Sequence, residues 1–323
     1  MSEAPGTLPV CDVVIVNWNA GPQLVDCLRA LSRCDRSDYH LRQITIVDNA
    51  STDHSLQEVE RADLGISVRI LRNADNKGFA AACNQGARGG DAEFLLFLNP
   101  DTVAFPESLS VPLSFLQSRD AEQIGIVGIS LIDDRGQPAR NACRFPTPGL
   151  FLRELLGLHQ LFPKRFPGHV LLDWPHDETR IVDHVIGAFY LVRRHVFAAL
   201  GGFDERFFVY KEDLDFSLRA QQSGWQSCYL ATARAYHKGG GTSEGIKARR
   251  LFYGLRSRVQ YGFKHFGWPA AVGLLLATLL LEPVARIVRA LLMRSGDTLW
   301  ETLGGIGRLW LWAIARPFQT KTI

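Results

Sequence analysis

Asp101 is the residue whose setting most invites chemistry. It follows an apolar run, Phe94–Leu98, that stops at Asn99-Pro100-Asp101-Thr102. A run of that length bounded by turn residues reads as a buried strand. Pro100 has no N–H to give to a sheet ladder, so pairing is expected to end there. Asn99 and Asp101 then lie at the carboxyl edge of the strand, where open α/β sheets bind ligands. A fixed carboxylate suits a hard divalent cation, and Mg²⁺ commonly shares its coordination with substrate phosphates. The pattern points to a metal–diphosphate site centred on Asp101. An Asx turn capping a following helix would use the same residue types.

Two further groups bear on that choice. Glu212, Asp213 and Asp215 fall where a helix is expected to begin, within GGFDERFFVYKEDLDFSLR. Acids in a first turn complement the helix dipole, and Asp215 and Arg219 are spaced to pair, so capping plus a surface pair would also explain them. His237 precedes three glycines, a loop from which it can swing over a bound phosphate; a plain glycine-rich linker is the alternative. Taken together, the groups suit a displacement at a sugar carbon. A metal-bound diphosphate is a good leaving group. A separate carboxylate can deprotonate an incoming hydroxyl. A glycosidase pair differs, because one of its carboxylic acids must protonate the leaving oxygen.

Stepping from strand to helix along the chain shows what must hold these residues. Cys11–Asn17, Gln43–Val47 and Val68–Leu71 are apolar, β-branched runs expected as buried strands. Gln23–Arg33, His54–Ala62 and Phe79–Gly86 read as the intervening helices, with Asp53 a candidate N-cap. Repeated strand–loop–helix units imply parallel strands with right-handed crossovers. Three polar strand ends, at Asn17, Asp48 and Asp101, then open on one edge and form a pocket for a polar ligand. Further on, Pro106–Arg119 is expected as a helix, Gly125–Ile132 as a strand and Asp133–Gly136 as a hairpin turn. Arg140–Asp177 reads as an irregular insertion beside the pocket. Asp183–Arg193 is expected as one strand, His195–Leu200 as a short helix and Ser227–Ala231 as a last strand.

From Ile246 the character changes. Lys247, Arg249, Arg250, Arg256, Arg258 and Lys264 alternate with Leu251, Phe252, Tyr253, Leu255, Val259, Tyr261 and Phe263, a membrane-surface type of amphipathic helix. Ala270–Leu281 is uncharged and apolar, is expected to break at Glu282-Pro283, and is short for a span of about 20 residues. Interfacial or re-entrant burial, or packing on the catalytic domain, fits it better. Trp300, Trp310 and Trp312 would suit a headgroup belt, and an ordinary helical bundle or oligomer interface is the alternative. Residues 1–244 are expected to form the catalytic domain and 245–323 a helical extension.

Composition narrows the classes. A chain of 323 residues with 46% hydrophobic and 21% charged residues is ordinary for a globular protein. A net charge of +3 gives no nucleic-acid signature. Six scattered cysteines without a C-x-x-C pair argue against a zinc or redox site and suit reduced thiols in the cytoplasm. No G-x-G-x-x-G follows the first strand, which counts against a dinucleotide-dependent oxidoreductase. Asn17–Gly21 is not the basic, glycine-rich phosphate loop of a nucleotidyltransferase.

The chain resembles family 2 glycosyltransferases, especially their bacterial rhamnosyltransferase-like branch. The matching stretches are VVIVNWN (Val13–Asn19), IVDNASTDHS (Ile46–Ser55), NKGFAAACNQG (Asn76–Gly86), FLNPDT (Phe97–Thr102), GAFYLVRR (Gly187–Arg194), Gly201–Arg219 and YHKGGGTS (Tyr236–Ser243). The resemblance implies a GT-A fold, a Rossmann-like, mainly parallel sheet flanked by helices. It implies that Asn17 and Asp48 hold the nucleoside. Asn76, Gly78 and Asn84 would line the ribose and diphosphate. Asn99-Pro100-Asp101 stands for the D-x-D metal motif, with Asn in place of its first acid, so that Asp101 is the metal ligand. Asp213 matches the catalytic base, with Glu212 and Asp215 as runners-up. His237 matches a histidine of the metal or phosphate shell. The cofactor implied is Mg²⁺ or Mn²⁺, and the donor dTDP-L-rhamnose or, alternatively, a UDP-sugar such as a galactofuranosyl or hexosyl donor. The acceptor would be a saccharide, possibly lipid-linked, met at the cytoplasmic face of the membrane in cell-surface polysaccharide synthesis. A non-catalytic, membrane-bound nucleotide-sugar sensor is the competing reading.

Overall fold

The computed structural model describes residues 8–239 and 245–315 and divides into two compact units. The first comprises Met1–Phe145, Val170–Phe208 and Glu212–Thr242; the second comprises Pro146–His169, Val209–Lys211 and Ser243–Ile323.

The first unit opens with the expected strand–helix alternation: β1 (Val10–Asn17), α1 (Gln23–Ser32), β2 (His40–Asp48), α2 (Ser55–Arg61), β3 (Val68–Arg72), α3 (Phe79–Ala87) and β4 (Phe94–Leu98). β1 pairs in parallel with β2 and β4, and β2 with β3. Cys11, Val13 and Ile15 enter one apolar cluster, and Val14 and Val16 the other. Both faces of β1 are thus buried, which is why its sequence is a continuous apolar run. The small residues of α3 permit close packing: a Cβ on Gly86 would lie 2.4 Å from a Val14 methyl.

Beyond β4 the sheet becomes mixed. β5 (Thr102–Ala104) follows at once, and α4 (Ser110–Gln117) leads to β6 (Ile124–Ile132). The hairpin turn at Asp133 joins β6 to β7 (Pro138–Ala139). After β8 (Ala142–Cys143) the chain enters the second unit, then returns through β9 (Arg180–Val182), β10 (His184–Val185), β11 (Phe189–Arg193), α7 (Arg194–Ala199), α8 (Glu212–Gln222) and β12 (Gln226–His237). The ten-stranded sheet runs β3-β2-β1-β4-β11-β6-β12-β5, with β7 beside β6 and β9 beside β12; β8 and β10 form a separate pair. β11 is antiparallel to both its neighbours.

Three expectations need correction here. Asp183–Arg193 is two strands, broken at Ile186–Ala188. Arg140–Asp177 is not simply irregular: it carries β8 and two helices, α5 (Pro148–Leu155) and α6 (Leu158–Leu161), that belong to the second unit. Asp53 does not act as the N-cap of α2, which His54 caps without a side-chain bond. Its carboxylate instead takes N–H bonds from Ser55 and Gly21.

The second unit continues with α9 (Lys247–His265), α10 (Trp268–Leu276), α11 (Glu282–Leu292) and α12 (Gly296–Ala315). Glu282-Pro283 ends the uncharged run but not the helix. A π-helical turn, Ala277–Leu281, joins α10 to α11 as one 25-residue helix, Trp268–Leu292, long and apolar enough to cross a membrane. Proline at 283 leaves the carbonyl four residues back, that of Leu279, without its helical donor. Trp310 Nε1 supplies the bond instead, at 3.0 Å.

Candidate active site

The carboxyl ends of β1, β2 and β4 meet as expected. Asn17 is paired with Asp48 in register, and its amide donates to Asp48 Oδ1 at 2.8 Å and to the hydroxyls of Ser51 and Ser55. Asn17 is wholly buried and orients Asp48, and its own amide oxygen has no hydrogen-bond partner. Asp48 also accepts from Ser51 N–H, which fixes its carboxylate plane and still leaves lone pairs for a base edge.

The segment before α3 is set by glycine. Gly78 has φ +89°, and a Cβ there would lie 2.4 Å from the Phe208 carbonyl oxygen. That carbonyl accepts from Phe79 N–H, and Asn76 Oδ1 accepts from Gly78 N–H. Asn84 departs from expectation. Its amide donates to the Phe203 carbonyl and Glu205, and its oxygen accepts from Phe203 N–H. Both ends clamp the Gly201–Glu205 loop to α3.

Asp101 does not cap a helix, because β5 begins at the next residue. Pairing of β4 does stop before Pro100, and the backbone of half-buried Asn99 closes the turn by donating to Ala188 and accepting from Thr102. The Thr102 hydroxyl donates to the same Ala188 carbonyl. His237 is not in a swinging loop. It ends β12 in register with Thr102, which sets its Nε2 3.3 Å from Asp101 Oδ1. Of the glycines that follow it, Gly240 and Gly241 lie outside the described residues.

Asp213 lies close by through the backbone. Its Oδ2 accepts from Gly187 N–H at 2.8 Å, and Gly187 adjoins the Ala188 that brackets Asp101. Its Oδ1 accepts from Leu214 N–H, and its side chain remains 17% exposed. The other two acids of α8 differ. Asp215 is fully buried and paired with Arg219 at 2.8 Å, so it is a structural anchor and not a reachable base. Arg219 goes on to donate to the Leu200 and Gly202 carbonyls. Glu212 is buried at the first position of the helix.

Two thiols stand near these acids, and both stay protonated. Burial pushes Cys27 up, with Asp101 adding to the effect. Burial likewise pushes Cys83 up, with Glu212 and then Asp213 adding. Sequence reasoning missed three polar neighbours of Asp213: His184, Tyr190 and Ser217, all buried. Ser217 follows Asp213 by one helical turn and was legible from that spacing; His184 and Tyr190 carried no signal before the strands were placed.

Residues 9–252 match the family described as "Glycosyltransferase like family 2". The chain belongs to that family. This glycosyltransferase is 28% identical, over 80% of its length and 86% of the relative's, to the N-acetylglucosaminyl-diphospho-decaprenol L-rhamnosyltransferase of Mycobacterium tuberculosis. It is 25% identical to the rhamnosyltransferase WbbL of Escherichia coli, over 61% of its length and 72% of that relative's. Among solved structures, the mannosyltransferase PcManGT of Pyrobaculum calidifontis, in complex with GDP-Man and Mn²⁺, superposes with a TM-score of 0.54 at 16% identity, covering 98% of this chain and 79% of that one. The fold of the glycosyltransferase is GT-A: a mixed sheet flanked by helices, with a helical C-terminal part.

Proposed function

We propose that the enzyme moves L-rhamnose from dTDP-L-rhamnose to a hydroxyl of a lipid-linked saccharide, with inversion at the sugar carbon, in the synthesis of a cell-surface polysaccharide. One observation carries the mechanism. Asn99 and Thr102, which flank Asp101, both bond the Ala188 carbonyl, and Asp213 accepts from the adjoining Gly187, so one dipeptide at the carboxyl edge of the sheet ties the two aspartates' segments together.

The residues fit a divalent cation held jointly with a diphosphate. His237 Nε2 is buried, makes no hydrogen bond and faces the Asp101 carboxylate. Asp101 and His237 would hold the ion, with diphosphate oxygens as the further ligands that a hard cation shares with its substrate. When bound, Mg²⁺ or Mn²⁺ neutralises the charge that develops on the departing nucleotide diphosphate. Asp48 reads the nucleobase from the end of β2. Asp213 takes the proton of the acceptor hydroxyl as that oxygen attacks the anomeric carbon from the face opposite the leaving group. The rhamnosyl group and the diphospho-lipid acceptor are those in the name of the mycobacterial relative, an N-acetylglucosaminyl-diphospho-decaprenol L-rhamnosyltransferase. The exposed apolar surface of the second unit suits such an acceptor, since it would hold the enzyme at the cytoplasmic membrane surface.

Calorimetry with dTDP, UDP and GDP, each with and without Mg²⁺ or Mn²⁺, tests the donor and the metal together. Metal-dependent binding that favours dTDP is the expected result, and Asp101→Ala is expected to abolish the metal dependence. Nucleotide affinity indifferent to both metal and substitution would remove the metal assignment. Asp213→Asn is expected to bind donor normally and to lose transfer by about 10²–10⁴-fold, the range for a general base.

A further inference from the structure

Behind Asp213 the three buried polar side chains form a line that transfer itself does not use. Tyr190 is on β11 in the middle of the sheet, Ser217 is one turn along α8 from Asp213, and His184 is on β10, paired with Cys143. The Tyr190 hydroxyl lies 2.8 Å from Ser217 Oγ, and Ser217 Oγ lies 3.0 Å from His184 Nδ1. His184 Nε2 faces Asp213 Oδ2 at 3.6 Å.

Hydrogen counting orients the line. If Ser217 accepts from Tyr190, its own proton goes to His184 Nδ1, and the neutral imidazole then presents Nε2–H to the carboxylate. In the reverse order Nδ1–H donates to Ser217, Ser217 to Tyr190 and Tyr190 to the Asp213 carbonyl at 3.4 Å. A neutral imidazole would then turn a lone pair on the carboxylate across 3.6 Å, which is repulsive, while a doubly protonated one presents Nε2–H in either order. The favoured order runs Tyr190 to Ser217 to His184 to Asp213, and each donor has an acceptor.

We propose that His184 is a positioning residue for the Asp213 carboxylate, its Nε2–H acting with Gly187 N–H to fix Oδ2. The proposal rests on Asp213 being the base. Gly187 supplies one rigid backbone donor at 2.8 Å, and a Cβ at that position would come within 3.1 Å of the same oxygen. The imidazole supplies the second. At 3.6 Å it is an electrostatic contact, weaker than the Gly187 bond, and a small movement of either side chain makes it a hydrogen bond. With both donors on Oδ2, the carboxylate cannot turn about its Cβ–Cγ bond, and the acceptor hydroxyl meets it in one orientation.

The test measures kcat, KM for donor and acceptor, donor affinity by calorimetry, and thermal melting. It uses the full chain and the variants Asp213→Asn, His184→Phe and His184→Gln. His184→Phe keeps the ring volume and removes the N–H. It is expected to lower kcat by about tenfold to a hundredfold, the worth of one hydrogen bond to a charged group, with donor affinity and melting unchanged. His184→Gln, which restores an N–H, is expected to recover most of that loss. Wild-type kcat in His184→Phe would overturn the proposal. So would an equal loss in both His184 variants accompanied by weaker donor binding or early melting, since that describes a packing residue. Retained turnover in Asp213→Asn would instead overturn the assignment of the base, whatever the His184 variants do.

Discussion

Two aspartates two residues apart on α8 have opposite fates, and burial decides between them. Asp213 keeps an open edge, while Asp215 is enclosed with Arg219. Removing one partner of a buried ion pair leaves the other charge uncompensated and costs about 3–5 kcal/mol. Asp215→Ala is therefore expected to lower the unfolding free energy, read from denaturant titration, by that much, whereas Asp213→Asn should leave it nearly unchanged and slow transfer by about 10²–10⁴-fold. Equal melting of the two variants would contradict the division of roles. Gly187 carries a second prediction at this scale. A methyl there would sit 3.1 Å from Asp213 Oδ2, so the carboxylate must give by a few tenths of an ångström. Small misplacements of a reacting group are expensive in rate. Gly187→Ala is expected to fold and to lose about tenfold in kcat at unchanged donor affinity, as read by steady-state kinetics beside calorimetry. The sequence offered Glu212, Asp213 and Asp215 as three candidates because all lie in one first turn; only the packing of α8 separates the buried from the reachable. The same limit applies to Asn17 and Asn84, whose amide N–H groups bond inside the protein, which no spacing in the sequence showed.

At the scale of elements, the close contact of α3 with β1 makes a testable demand. Alanine is the better helix former by about 1 kcal/mol, yet a Cβ at Gly86 would meet Val14 at 2.4 Å and Val47 at 3.0 Å. Overpacking of this kind costs about 1–3 kcal/mol, so Gly86→Ala is expected to be destabilising in chemical denaturation despite its propensity gain. A stabilised variant would mean that α3 can shift outward freely. The strands β1 to β4 were legible to within a few residues because each is an apolar run ended by a polar turn. β12 was not. Only its first half is continuously buried, the register slips between Leu230 and Arg234, and the outer half alternates with exposed residues, so the expected strand stopped six residues short of His237. That shortfall put His237 in a loop when the sheet in fact fixes it beside Asp101. α5 was missed although its start was readable: Thr147 accepts from Leu150 N–H, and Pro148 stands at the first helical position. Pro283 misled for a different reason. Its cost is met by a tryptophan 27 positions away, a contact that no local pattern encodes.

At the scale of the whole molecule, the second unit exposes what a soluble surface normally hides. Along Trp268–Leu292, Leu276, Leu280, Leu281, Val284, Val288, Leu291 and Leu292 are exposed and recur at helical spacing, so they form one stripe. On α12, Trp300, Leu303, Trp310, Leu311 and Ile314 are exposed at a similar spacing. The opposite face of the long helix is buried in protein, and Glu282, near its middle, is enclosed with Arg258 and also pairs with the part-exposed Arg286. A spanning helix would carry that charged cluster into the hydrocarbon, at considerable cost. A helix lying in the interface keeps the cluster in protein and gives only the stripe to lipid. Arg289, Arg294 and Arg308 are exposed near these apolar residues and favour an anionic surface, at about 1 kcal/mol each near the bilayer. The enzyme is therefore expected to float with vesicles containing anionic lipid, to bind neutral vesicles more weakly, and to be released by alkaline carbonate. Leu280→Glu with Leu291→Glu changes only exposed positions, so stability should hold within about 0.5 kcal/mol at each site. That double variant is expected to lose flotation while keeping turnover on a short, water-soluble acceptor. Flotation that survives both the double substitution and carbonate would instead place Trp268–Leu292 across the bilayer.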